Sequence, residues 1–223
     1  MTYDDVDWME VDDHGATSGN GYVTHTCQGA YKGRVQRTGH TTITTDEETP
    51  KTATINFIQL PKTEYVTFDS ASYQATASGG QVTLTGKTNS PRLGFSKSAD
   101  AGNMATLPDY FSINGGAANQ DVSGQVFAGD PGASGEIAFT IVVTIAANTT
   151  MSSRSCTIQA TGSTGVTGTA NIIQAAASSY LYVDQMGTTT KTITFDSEGL
   201  CDGEDSVDVD VLSNDDWQVS VSE

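Results

Sequence analysis

Lysine and arginine are scarce in this 223-residue chain, ten against 27 Asp and Glu. The resulting formal charge of −17 excludes a nucleic-acid partner, because a phosphate backbone is bound by clustered cations. Long apolar runs are missing too: the longest reach about seven residues, against the roughly 20 needed to cross a bilayer, so no membrane insertion is expected. The opening Met1-Thr2-Tyr3-Asp4-Asp5 has neither the basic nor the apolar stretch of an export signal. Cysteine is down to three. Cys27, Cys156 and Cys201 lie far apart without CxxC spacing, and an odd, dispersed set closes no disulfide framework. They read as small strand or loop residues. Nor does any segment carry a sustained apolar stripe at helical spacing.

Short runs that alternate apolar residues with Thr, Ser or Asp are there instead, as in Val82-Thr83-Leu84-Thr85, Phe139 to Ile145 and Val207-Asp208-Val209-Asp210-Val211. Period two sends one set of side chains inward and the other into water, which makes the chain all-β. Internal repetition sharpens this. Arg37 to Ile43 is echoed by Arg154 to Ile158, Asn56-Phe57-Ile58-Gln59 by Asn171-Ile172-Ile173-Gln174, and Tyr65 and Asp69 by Tyr180 and Asp184, giving a period of about 115 residues. One complete module then spans residues 62–176. Within it, strands are expected near 64–68, 73–76, 81–88, 92–96, 137–145, 154–161 and 166–174, separated by Gly, Asn, Pro and Ser turns. Seven short strands make an antiparallel sandwich. Its core is drawn from a pool of Phe57, Ile58, Val82, Leu84, Ile141, Val143, Ile158 and Ile172, and alternation allows only one of Phe57 and Ile58 to face inward. Residues 98–135, rich in Gly and Ala, read as a long inserted loop and a docking or ligand surface through Tyr110 and Phe111.

The run Ala146 to Ile158, closed by Asn171-Ile172-Ile173-Gln174, resembles the second half of a BACON domain, an immunoglobulin-like module of Bacteroidetes proteins and their phages. Ser213-Asn214-Asp215-Asp216-Trp217 resembles the Asn-x-x-Trp strand of that family's first half; the complete module departs from it with Asn89-Ser90-Pro91-Arg92. The resemblance implies tandem immunoglobulin-like sandwiches, with residues 1–61 as a second half-module, 62–176 whole and 177–223 as a first half.

An isolated half-sandwich exposes an apolar face and open strand edges. The expected remedy is strand complementation by copies of the same chain or by another structural protein. The alternative is that the two halves are cuts through a longer multi-module protein. Trp8, Val207, Val209, Val211 and Trp217 are the candidate interface residues. Charge favours pairing of the ends: residues 14–45 hold no acid but include Lys32, Arg34 and Arg37, whereas 196–216 hold nine acids and no base.

No catalytic constellation emerges. His14, His25 and His40 pair with no nucleophile motif, Gly129 to Gly135 reads as a turn, and Gly162 to Gly168 as a hairpin connection that opens no helix. Asp202, Glu204 and Asp205 form a weak Ca²⁺ candidate without EF-hand spacing, and no cofactor is expected. The expected function is non-catalytic, structural or adhesive. One form is a bacteriophage virion component such as a head fibre, capsid decoration or tail module, which folds in the host cytoplasm and needs no export signal. Another is an extracellular filament subunit. The competing reading is a carbohydrate-binding module of a surface protein, touching surface glycans with Trp8, Trp217, Tyr110, Phe111 or Tyr182.

Overall fold

Alternation of Thr with Ile, Val and Phe yields strands throughout, and the structure, a computed structural model, describes residues 2–3, 7–15 and 19–221. Helix accounts for 3% of the described structure and strand for 42%, arranged in several antiparallel sheets, so the architecture is all-β, of immunoglobulin-like sandwich type. The N-terminal segment holds β1 (Thr2–Tyr3), β2 (Met9–Asp12), β3 (Thr24–Cys27), β4 (Arg37–Thr44) and β5 (Thr52–Gln59). They form a three-stranded sheet in the order β1-β4-β5 and a β2-β3 ladder.

The central module follows with β6 (Val66–Phe68), β7 (Ser72–Ala75), β8 (Gly80–Thr88), β9 (Arg92–Ser98), β10 (Ala105–Thr106), β11 (Tyr110–Ile113), β12 (Gln120–Asp121), β13 (Ser123–Val126), β14 (Ile137–Ile145), β15 (Arg154–Thr161) and β16 (Thr167–Gln174). One sheet runs β12-β11-β14-β8-β6 with β10 also on β14, the other β13-β9-β15-β16-β7. This is the sandwich plan in which strands A, B, E and D face C, F and G, with β6 as A, β8 as B, β14 as E, β15 as F and β16 as G. The first strand crosses between sheets: β6 pairs antiparallel with β8, and β7 then pairs parallel with β16.

Between the sheets lie Leu84, Leu93, Phe111, Phe139, Ile141, Val143, Ile158 and Ile172, all buried, with Val82 packed at the margin. Phe95 meets the rings of Phe111 and Phe139 edge-on at 4.9 and 5.7 Å, and Phe68 meets Phe139 at 5.4 Å. Each such ring contributes about 1.5–3 kcal/mol by leaving water. The Phe139 ring lies so close over Gly86 that a Cβ there would sit 2.3 Å from it, so this B-strand position must be glycine. Of the core pool, Phe57 turns inward and Ile58 outward, as alternation requires.

The structure corrects the reading of residues 98–135. They are not a loop laid over the sandwich: β10 and β11 fill the D position beside β14, and β13 extends the second sheet beside β9. Met104, Ala105, Phe111 and Phe127 from this stretch are core residues. The C-terminal segment forms one short antiparallel pair, β17 (Leu181–Tyr182) with β18 (Leu212–Ser213).

Candidate functional site

The repeat written in the sequence recurs as hydrogen bonds. Arg37 Nε donates to Gln59 Oε1 at 2.8 Å, and Arg154 Nε donates to Gln174 Oε1 at 2.8 Å, each strapping the first residue of an F strand to the last of its G strand. The same glutamines donate onward to the backbone, Gln59 to Gly29 O and Gln174 to Ala146 O. Thus β4 and β5 stand in the N-terminal segment where β15 and β16 stand in the central module.

A second recurring set marks the joints between segments. Asn89, fully buried just past β8, accepts from Tyr65 N at 3.0 Å through Oδ1. Its Nδ2 donates to the carbonyls of Lys32, Lys62 and Thr63 at 3.1–3.3 Å, so one amide ties the preceding segment, the linker and the module together. Arg34 adds a charged clasp, with both oxygens of Asp130 at 2.6–2.7 Å from Nη2, and its Nε donates to Asn89 O. At the other end Asn214 accepts from Tyr180 N at 3.0 Å and donates to Ser178 O and Thr149 O. Ser213 Oγ donates to Tyr180 O as Thr88 Oγ1 donates to Tyr65 O. The asparagine and hydroxyl bonds of the first joint thus recur at the second, between the C-terminal segment and the central module.

Glu64 finishes the first joint. Its carboxylate accepts from Ser163 N at 2.6 Å, Ser163 Oγ at 2.8 Å and Thr164 N at 3.3 Å. Burial works to raise this carboxyl, but the bonds from Ser163, Ser90 and Thr164 outweigh it and hold the group below its usual range. Because the folded value is depressed, the stabilisation is present above the unfolded glutamate value of about 4.3 and is lost as pH falls through the folded value. Glu64→Gln is expected to cost about 1 kcal/mol at pH 7, discounted for partial exposure. Denaturant titrations at pH 7 and pH 3 check this: the gap between the two proteins should close at the lower pH, and a gap that persists there refutes it. Next to it, Tyr65 OH donates to Glu136; burial and that carboxylate together raise the tyrosine pKa.

The two outer segments order different parts of the central module's set of strands. In the central module the inner edge of β14 is covered by β8 over nine register positions and the outer edge of β16 by β7. Among the described residues, β3 and β5, which hold the corresponding places in the N-terminal segment, have no strand on those edges. Ile55, on the inward face of β5, is 39% exposed. In the C-terminal segment, β17 and β18 repeat the β6-to-β8 pairing, Leu181 opposite Ser213 as Val66 is opposite Thr88. Residues 206–211, preceding β18, run without a ladder, with Val207 and Val211 exposed and Val209 half-buried.

Several expected site residues land elsewhere. Trp8 is 6% exposed and belongs to its own chain: it meets Phe57 edge-on at 5.3 Å, and Arg37 lies 4.4 Å over its ring. Trp217, 49% exposed, remains on the surface. Tyr110 and Phe111 are split by strand alternation, Tyr110 being 54% exposed and Phe111 1%, so Phe111 is a core residue and only Tyr110 stands on the surface. Asp202, Glu204 and Asp205 are exposed around a tight turn that closes Cys201 on Glu204, with Asp202 and Gly203 at φ of 52° and 86°. Among the described residues no three His, Cys, Asp or Glu side chains gather to hold a metal ion. The bases expected to meet the acidic C-terminal stretch are engaged inside the chain, Arg34 with Asp130 and Arg37 with Gln59, Trp8 and Tyr31.

His14 bonds Thr24 Oγ1 at 2.8 Å and lies 3.3 Å from Asp12, while His25 bonds Thr41 Oγ1 at 3.0 Å. Thr41 is fully buried, which puts its hydroxyl out of reach of a substrate. The three cysteines are free, and burial, with the Asp100 carboxylate adding to it, pushes the Cys156 thiol up to about 11. Shallow grooves of about 420 and 410 Å³ lie over the two F-G hairpins at corresponding places, one beside His40 and Ile58, the other beside Thr157 and Ile173. Among the described residues no helix is long and apolar enough to cross a membrane.

No protein-family description and no curated protein matches the chain. Solved structures do resemble it in part. A Bacteroides ovatus GH5 xyloglucanase in complex with a XXXG heptasaccharide matches over 52% of this chain and 19% of its own, at 15% identity and a TM-score of 0.31. A protein from Bacteroides thetaiotaomicron solved by NMR matches over 52% of this chain and 90% of its own, at 16% identity and a TM-score of 0.28. The mouse clustered PcdhgC3 EC1-3 structure matches over 79% of this chain and 55% of its own, at 12% identity and a TM-score of 0.34.

Proposed function

We propose that this chain is a non-catalytic structural or adhesive subunit that joins copies of itself by completing half-sandwiches between molecules. The observation that carries the reading is the match of gaps to spare parts. The N-terminal segment orders counterparts of strands C to G and leaves open the edges that β6, β7 and β8 close in the central module. The C-terminal segment orders counterparts of β6 and the end of β8, and carries an alternating valine run on an unladdered stretch. Burying that run in the partner's half-sandwich removes exposed apolar area from both molecules.

The finer reading, a virion component such as a head fibre, capsid decoration or tail module, is supported by the resemblance to BACON modules of Bacteroidetes and their phages; capsid and portal genes beside the coding sequence would favour it, glycan-degradation genes would count against it. A glycan contact, its competitor, has only Tyr110 left of the pair Tyr110 and Phe111. Static light scattering tests the assembly. The expected molar mass rises with concentration in steps of the 23.3 kDa chain, and a constant single-chain mass refutes the proposal.

A further inference from the structure

We infer that residues 205–213 of one copy enter a second copy as a B strand beside the unpaired edge of its β3, antiparallel to it, with Val209 opposite Val23, and that the union runs head to tail. This rests on the complementation reading above and adds to it the strand, the register and the polarity.

The register comes from two anchors within the chain. On one side, β17 and β18 reproduce β6 and β8, Ser213 standing for Thr88 in both its ladder partner and its side-chain bond to the preceding tyrosine carbonyl. Counting back along the strand, Val211 stands for Gly86, Val209 for Leu84 and Val207 for Val82. On the other side, Cys27 faces Met9 as Ile145 faces Ala105, and Gln28 N donates to Trp8 O as Ala146 N donates to Met104 O. Hence His25 stands for Val143, Val23 for Ile141 and Gly21 for Phe139. The contacts agree, since His25 bonds the buried Thr41 and packs 5.9 Å from Phe57, which places it on the inward face with Val23.

Laying the pairs of β8 and β14 onto these counterparts gives the joint strand pairing. Leu84 opposite Ile141 becomes Val209 opposite Val23, and Val82 opposite Val143 becomes Val207 opposite His25. Gly86 under Phe139 becomes Val211 opposite Gly21, so the crowded position keeps one large and one small partner with their sides exchanged. A one-residue slip would turn the valines to the solvent face. Polarity follows from the joints. Asn89 and Asn214 hold the same connection at both ends of the central module, so the union joins unlike ends of successive copies, and repeated from copy to copy it extends an open row unless its rotation closes a ring.

Single-cysteine variants test this in a background with Cys27→Ser, Cys156→Ala and Cys201→Ser, after light scattering has shown that the background still assembles. Directly opposed antiparallel positions lie within disulfide reach. Mixed Val23→Cys and Val209→Cys chains should give a disulfide-linked dimer under mild oxidation that neither gives alone, and at least tenfold more of it than Thr24→Cys mixed with Val209→Cys. A chain carrying both Val23→Cys and Val209→Cys should give a ladder of covalent oligomers. An assembling protein that cross-links equally well at Thr24, or not at all, overturns the register but leaves complementation standing. A doubly substituted chain that closes on itself or stops at a dimer overturns the head-to-tail polarity, and a background that stays monomeric, like its wild type, overturns complementation itself.

Discussion

Replacing Val209 and Val211 together with Asp is expected to abolish assembly of the chain while leaving the melting of the central sandwich unchanged. Both side chains occupy positions whose counterparts, Leu84 and Gly86, are buried in the central module, yet in their own chain Val211 is exposed and Val209 half-buried. The carboxylates therefore cost little in the single chain and must be desolvated only in the completed module. Two unpaired carboxylates at about 2–4 kcal/mol each correspond to a loss of roughly a thousandfold or more in association. An interface of this kind, a domain core divided between chains, should bury well over about 2,000 Å². Replacing the outward neighbours Asp208 and Asp210 with Asn should leave assembly intact, since they alternate onto the solvent side. Light scattering with parallel thermal melts reads both effects; assembly that survives the Asp pair contradicts the assignment of the valine run.

Phe111→Ala is expected to lower the stability of the central module by about 3–5 kcal/mol, a fall of roughly 10–25 °C in its melting temperature. Phe111 is enclosed by Phe95 at 4.9 Å and Phe127 at 6.1 Å, so truncation leaves a cavity that fixed strands on either side cannot fill. Tyr110→Ala, one residue away on the outer face, should cost less than about 1 kcal/mol. Equal, small losses at both positions would restore the view of residues 98–135 as an appended loop.

The difference between these neighbours shows where sequence was informative. Strands of eight or nine residues, such as β8, β14, β15 and β16, display enough alternation to be placed within a residue or two of their observed ends. Strands β10 to β13 are two to four residues long, too short for period two to be seen against Gly and Ala, so Phe111 reads in sequence as half of a surface pair with Tyr110 when it is core, and Met104 and Phe127 at the strand ends carry no pattern at all. The joints were hidden for another reason. Asn89 and Asn214 act on backbone carbonyls and amides from distant parts of the chain, and nothing in composition reveals which carbonyls will converge. What sequence did offer was the shared asparagine after each B strand, noticed only as part of an Asn-x-x-Trp pattern. Charge misled: Lys32, Arg34 and Arg37 look like a free basic patch in the sequence, whereas Arg34 and Arg37 are committed to partners within the fold. The Val207 to Val211 run was legible as a strand, but a strand needs a neighbour to ladder with, and among the described residues it has none.

Amide hydrogen exchange across residues 206–211, followed as a function of protein concentration, puts complementation between copies to its most direct test. Among the described residues these amides have no ladder, so in dilute protein they should exchange as exposed backbone, and on assembly the alternate ones that face β3, those of Val207, Val209 and Val211, should become protected together with those of Gly21, Val23, His25 and Cys27 on its open edge. Fast exchange at every concentration, or protection that does not depend on concentration, would contradict the account.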